Sequence, residues 1–417
     1  MHADMKYWKK RTQKEQDERI TDALQHNIDF ADNICLGIPA SRLDPLVFHE
    51  QASFLKDAPL LRAYVQNPNH IGCHTFGDSE PFFTGTQQLE KEVIDVLSAD
   101  LFHAADHSYD GYIASGGTEA NIQAAWIYRN YFRDGLQAQQ CEIALLASED
   151  THYSVAKAAN LLNLSLYTIP VTEMERRITE AALDAKVKQA VSEGARYFIV
   201  FCNMGTTMFG SIDDPDLYAQ ALEANEVHYR IHVDGAFGGF VYPVSNPHSN
   251  LNFANPAVSS ITLDAHKMLQ APYGTGIFLA RKGLMKHAYT RHARYVSGMD
   301  MTLSGSRGGV NAVAIWMILS TYGPYGWLEK INKLLYRTAW LCQGLDEAGL
   351  SYYRHPDMNI VTVKAAQVPL QVAQKFKLVP DNHEGTAHWY KIVIMDHVSM
   401  EHLQEFITDL QQVHTVS

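Results

Sequence analysis

Two residues of this 417-residue chain have the type and setting for covalent chemistry on a carbonyl group. Lys267 closes the run Ile261-Thr262-Leu263-Asp264-Ala265-His266-Lys267. Asp234 lies thirty-three positions earlier, in His232-Val233-Asp234-Gly235-Ala236-Phe237-Gly238-Gly239. A lysine amine can condense with an aldehyde, and a carboxylate can keep a heterocyclic nitrogen protonated, which makes the ring an electron sink. Taken singly, such a lysine is usually a surface residue and such an aspartate a solvated strand end. Their shared position just after apolar runs is what favours chemistry.

Polar groups follow other apolar runs in the same way. Ser115-Gly116-Gly117-Thr118-Glu119-Ala120-Asn121 follows a predicted strand and opens a predicted helix, so backbone N–H groups at the helix N-terminus can face an anion and Thr118 can add a hydroxyl. The plainer alternative is a turn capped by Thr118. Ala236 is small enough for a ring to lie flat against it, and His266 can reach a phosphate or a substrate. His152, in Ser148-Glu149-Asp150-Thr151-His152-Tyr153-Ser154, can stack on an aromatic ring, although most of the twenty histidines have no such task. Asn203-Met204-Gly205-Thr206-Thr207 offers a further hydroxyl. An amine, a carboxylate, an anion cradle and a flat surface are together what pyridoxal 5'-phosphate requires.

Holding these groups together calls for strands whose carboxyl ends converge. Short apolar runs predict strands at residues 111–115, 143–147, 166–169, 197–202, 231–234, 260–263 and 276–280. Helical spacing recurs between them, as in Leu89, Val93, Val96 and Leu97, and in Ala120, Ala124, Ile127 and Tyr131. The pattern predicts an α/β fold with a mostly parallel seven-stranded sheet, flanking helices, and a ligand at the strand carboxyl ends. Tyr322-Gly323-Pro324-Tyr325-Gly326 breaks the pattern, dividing a large domain at residues 56–321 from a smaller C-terminal α+β domain at 322–417. The latter is read as a long helix, strands near 360–363 and 390–394, and a terminal helix from Met400. Residues 1–55 form a helical arm, including Arg19-Ile20-Thr21-Asp22-Ala23-Leu24, that needs another surface to cover it, most economically a second subunit.

Composition narrows the partners. With 34 basic and 46 acidic residues, the formal charge of −12 disfavours nucleic acid and anionic membranes, and Lys6-Tyr7-Trp8-Lys9-Lys10-Arg11 reads as a solvated helix face. No apolar run reaches membrane-spanning length, and five scattered cysteines (Cys35, Cys73, Cys141, Cys202, Cys342) without metal-ligand spacing suit reduced thiols in a cytoplasm. No metal site is expected.

Residues Gly72 to Ile318 resemble the group II pyridoxal phosphate dependent amino acid decarboxylases, a branch of fold type I. Ser148 to Lys157 and Thr302-Leu303-Ser304-Gly305-Ser306-Arg307-Gly308-Gly309 are most similar to the bacterial histidine decarboxylases. The resemblance implies that Lys267 is the Schiff-base lysine and Asp234 the partner of the pyridine nitrogen, with His152 stacked on the ring face opposite Ala236. It places Gly117, Thr118 and His266 on the phosphate and Thr207 near the 3-oxygen. A loop before the Gly-Ser-Arg segment, supplied across a homodimer interface, would offer Tyr295, next to Ser297, as proton donor. His74, Thr75 and Phe76 would line the substrate entrance, or be ordinary loop residues. Asp264 departs from the serine of histidine decarboxylases and the asparagine of aromatic ones, and with Gly235 to Phe240 leans toward the sphingosine phosphate lyases.

The expected activity is α-decarboxylation of an L-amino acid to an amine and carbon dioxide, histidine first, then aromatic or acidic amino acids. An aminotransferase, a carbon–carbon lyase and a catalytically silent cofactor-binding protein are the rivals. Consumption of a keto acid would mark the first and release of an aldehyde the second. Cofactor binding without turnover would mark the third.

Overall fold

The computed structural model describes residues 5–26, 64, 75–78, 81–290 and 298–416. Its centre is a seven-stranded sheet of β1 (Tyr109–Ala114), β2 (Ile143–Ser148), β3 (Ser165–Ile169), β4 (Tyr197–Asn203), β5 (His228–Gly235), β6 (Val258–Asp264) and β7 (Gly276–Arg281). The order is β1-β7-β6-β5-β4-β2-β3. Only β7 runs against its neighbours β1 and β6, while β2 to β6 pair in parallel. All seven expected strands are present, with ends displaced by up to three residues.

The strands read as continuous apolar runs because both faces are covered. On β4, Phe198, Val200 and Cys202 enter one core while Ile199 and Phe201 enter the other. The first core packs beneath α2 (Thr84–Asp95), through Leu89 and Val93. The second is closed by α3 (Gly117–Asn130) and α4 (Ser154–Leu162), through Ala124, Ile127, Tyr128, Val155 and Ala158.

The arm finds part of its cover within its own chain. Trp8 is 2% exposed and donates its indole N–H to the Leu319 carbonyl at 2.9 Å, and Asp100 accepts the backbone N–H groups of Tyr7 and Trp8. Helix α1 (Gln13–Gln25), opened by a Thr12–Glu15 capping box, buries Gln16 and Ala23. Residues 5–26 therefore pack in part against their own chain, and residues 27–55 lie outside the described residues.

The helical span α5 (Gly309–Glu347) consists of two segments meeting at a kink within Tyr322 to Gly326, where Gly323, at φ 58° and ψ −179°, is non-helical and precedes Pro324. A Cβ at Gly323 would lie 2.7 Å from the Lys10 backbone nitrogen, so the arm's approach and the left-handed backbone both call for glycine there. Beyond the kink, Trp327, Ile331 and Leu334 still belong to the large core, whereas Leu341 and Leu345 belong to the C-terminal one. The chain thus passes from one core to the other within a helix. The C-terminal sheet, ordered β10-β11-β9-β8, is antiparallel: β8 (Tyr352–Tyr353), β9 (Ile360–Lys364), β10 (Val379–Pro380) and β11 (Trp389–Val393), with α6 (Met400–Val416) closing its core. Among the described residues, no helix is long and apolar enough to cross a membrane.

Candidate active site

A cavity of about 340 Å³ opens at the carboxyl ends of the parallel strands. Its wall includes Gly117 and Thr118 beyond β1, His152 beyond β2, Thr207 beyond β4, Asp234 and Ala236 at the end of β5, and His266 and Lys267 beyond β6. Residues up to 150 positions apart, Gly117 and Lys267, are brought to one wall. Every expected cofactor contact therefore faces one cavity. Tyr295, Ser297 and His74 lie outside the described residues. Thr75 is buried, its carbonyl accepting from the Gln87 amide, and Phe76 packs edge-on against Tyr109. Neither lines the cavity wall.

Asp234 is 6% exposed and both its oxygens are bonded: Oδ1 accepts from the Ala236 N–H at 3.1 Å and Oδ2 from the Asn121 amide at 2.7 Å. These two donors fix the orientation of the carboxylate in the cavity wall. Lys267 sits one strand away with its Nζ 2.9 Å from Asp264 Oδ2, while His266 Nε2 is 3.6 Å from the same oxygen. His266 stacks on Tyr273 at 4.8 Å, and burial pushes its pKa down against the pull of Asp264.

His152 accepts at Nδ1 from the Ser154 hydroxyl (2.9 Å) and backbone N–H, which leaves its proton on Nε2. Burial pushes its pKa down and outweighs the nearby Asp234 carboxylate, so the ring is neutral at pH 7. A neutral imidazole can lie against a cationic ring without repulsion.

The anion cradle has a physical cause. Gly116, not Thr118, is the N-cap of α3, and a Cβ at Gly117 would come within 2.9 Å of Asp264 Oδ2 and 3.1 Å of Ala236 Cβ. Only glycine lets the helix N-terminus approach β6 so closely. Among the described residues, His266 Nδ1 is buried there without a partner, as is Asp264 Oδ1. The nitrogen suits a phosphate oxygen and the carboxylate oxygen suits a donor, so the residues present fit pyridoxal phosphate.

Several residues around the site carry no marking in a one-dimensional reading. Asn121 touches Asp234, yet in sequence it is only one polar residue among several on its helix, with Glu119, Gln123 and Arg129. His232 lies beneath Asp234 on the same face of β5, with Ser260 and Thr262 facing it from β6. That i, i+2 polar pattern in buried strands was available as a signal. Lys391, from β11 of the C-terminal sheet, donates to the Thr207 carbonyl at 3.1 Å, and burial and Lys267 lower its pKa; nothing in the sequence pointed there.

An α/β sheet carrying such a cavity at its strand carboxyl ends is the architecture of fold type I pyridoxal phosphate enzymes. Residues 7–351 match the family described as the pyridoxal-dependent decarboxylase conserved domain. The chain belongs to this family, and pyridoxal phosphate is its cofactor. It is 51% identical over 408 residues to a tryptophan decarboxylase of Clostridium sporogenes, covering 98% of each chain. It is 30% identical over 334 residues to a histidine decarboxylase of Vibrio anguillarum, covering 78% of this chain and 80% of the other. The L-methionine decarboxylase of Streptomyces sp. 590 superposes with TM-score 0.71 at 21% identity, over 95% of this chain and 93% of that one. The protein is an amino acid decarboxylase. The choice of histidine is not confirmed, since the 51% identity is to an enzyme of another name.

Proposed function

We propose that the protein decarboxylates an aromatic L-amino acid, tryptophan first, to the corresponding amine. The observation that carries this reading is the 51% identity to the Clostridium sporogenes tryptophan decarboxylase across 98% of both chains. Phe237 and Tyr153 in the cavity wall are compatible with a flat apolar side chain.

In this reading Lys267 forms the covalent link, Asp234 holds the ring nitrogen, and His152 and Ala236 take the two ring faces. Gly117, Thr118 and His266 hold the phosphate, and Thr207 lies by the 3-oxygen. The bound cofactor supplies a cationic conjugated ring that accepts the electron pair left when carbon dioxide departs. Asp234 stabilises that charge from its fixed position, an electrostatic contribution made before the reaction begins. His152, neutral with its proton on Nε2, shields one ring face from water and has a donor available there. Tyr295 remains the proposed proton donor and a homodimer the proposed assembly, with the site at the subunit interface, a C-terminal domain at 322–417 and a cytoplasmic setting.

Carbon dioxide release and amine formation measured across the twenty amino acids test the substrate. The expected result is a kcat/KM for L-tryptophan at least about tenfold above histidine and aspartate, the size of one lost packing contact in a specificity pocket. A histidine or aspartate rate above that for tryptophan, phenylalanine and tyrosine overturns it.

A further inference from the structure

Beneath the cavity, Asp234 is one end of a buried polar chain that the reaction does not touch. Asn121 Nδ2 donates to Asp234 Oδ2 at 2.7 Å and to Ser154 Oγ at 2.8 Å. Asn121 Oδ1 is 3.0 Å from His232 Nε2, and His232 Nδ1 is 2.6 Å from Ser260 Oγ, which meets the Tyr128 hydroxyl. Asn121, His232, Ser260 and Tyr128 are each at most 1% exposed, so every polar atom in the chain needs its partner.

The proton directions are fixed by elimination. An ionised carboxylate only accepts, so the atom of Asn121 facing Asp234 is the N–H side and Oδ1 faces His232. His232 must then present its proton on Nε2, shared with Thr262 Oγ1 at 3.0 Å, and accept at Nδ1 from Ser260, which accepts in turn from Tyr128. Every hydrogen points toward Asp234. The second N–H of the same amide holds Ser154, which orients His152. One side chain thus sets two groups of the site.

We propose that Asn121 is the positioning residue of this site, its amide fixing the Asp234 carboxylate and the His152 imidazole together, with neutral His232 dictating which way the amide faces. The inference rests on the reading that Asp234 serves the ring nitrogen. The charged and titratable groups around the amide are Asp234 and His232 from β5, His152 from the loop after β2, Asp264 and Lys267 at the end of β6, and Tyr128 from its own helix. None but Asn121 bonds to both Asp234 and the Ser154–His152 arm among the described residues.

The test is cofactor affinity, read by the visible absorbance of the lysine-bound cofactor in Asn121→Ala, Asn121→Asp and Asp234→Ala holoenzymes at pH 6 and pH 8. Asn121→Ala is expected to weaken affinity about tenfold to a hundredfold at both pH values, as for a lost hydrogen bond to a charged group. In Asn121→Asp the introduced carboxyl, facing Asp234, has a raised pKa. Protonated, it donates to Asp234 as the amide does; ionised, it repels. Relative to the wild type at each pH, this variant is therefore expected to lose at least about tenfold more affinity at pH 8 than at pH 6, a dependence that a merely structural role would not produce. Equal losses at both pH values, or wild-type affinity in Asn121→Ala, overturn the proposal. If Asn121→Ala does not fold, the pH ratio of Asn121→Asp decides. Wild-type affinity and turnover in Asp234→Ala would instead sink the underlying reading of Asp234, whatever the Asn121 variants do.

Discussion

His232 offers a quantitative test of how deeply the polar chain is buried. The residue is fully buried, and desolvation pushes its pKa from 6.5 down to about 4. Because the folded value lies below the unfolded one, the unfolded chain binds a proton between pH 6.5 and 4 that the folded chain refuses. The associated stability is complete above pH 6.5 and falls as pH drops, by a total of about 3 kcal/mol. Asp213 acts in the opposite sense: burial raises its pKa from 3.8 to about 6, so its contribution is complete below pH 3.8 and is lost as pH rises through 6. That opposing contribution is also about 3 kcal/mol, so the wild-type profile alone conceals both. The comparison with His232→Gln isolates the first, because Asp213 is common to both proteins. Urea unfolding at pH 7 and pH 4 should show the stability difference, wild type minus variant, decreasing by about 3 kcal/mol at the lower pH. A difference that stays constant over this range refutes the assignment of a neutral, desolvated His232.

Other consequences are equally direct. Gly117→Ala places a methyl 2.9 Å from Asp264 Oδ2, in the anion cradle; pyridoxal phosphate affinity, titrated by absorbance, should fall at least about tenfold, and unchanged affinity would separate the cradle from the phosphate. The ion pair between Arg307 and Glu90, at 3.0 Å with side chains 6% and 1% exposed, holds the segment before α5 against α2. Arg307→Met should cost about 3 kcal/mol or more in urea unfolding, whereas Lys14→Ala, which removes an exposed i, i+4 pair, should cost under about 0.5 kcal/mol.

Much of this architecture was written in the sequence because a parallel sheet covered on both faces leaves unbroken apolar strands, such as Tyr197 to Cys202, and because reactive groups gather where such strands end. Lys267, Asp234, Gly117 and His152 were singled out for that reason. Asn121, His232 and Ser260 were not, since their meaning lies in contacts across 111 residues between Asn121 and His232, and a polar residue in an apolar run has no direction until the strands are in register. Lys391 was invisible for a related reason: it donates to Thr207 across 184 residues, from a strand of the C-terminal sheet. The packing of residues 5–26 on α2 and α5 of the same chain was not legible either, because contacts such as Arg19 with Glu92 and Trp8 with Leu319 span 73 and 311 residues. Substrate choice turns on the shape of a side-chain pocket that motifs do not encode.

Lys267 and Asp234 are proposed to serve decarboxylation in this cavity, and the most direct test is the stoichiometry of carbon dioxide and tryptamine from L-tryptophan, in wild type and Lys267→Ala, without added keto acid. Equimolar products from the wild type, with none from the variant and no visible absorbance of lysine-bound cofactor in it, is the predicted result. Carbon dioxide and amine still formed by Lys267→Ala, or turnover that depends on a keto acid, would contradict it.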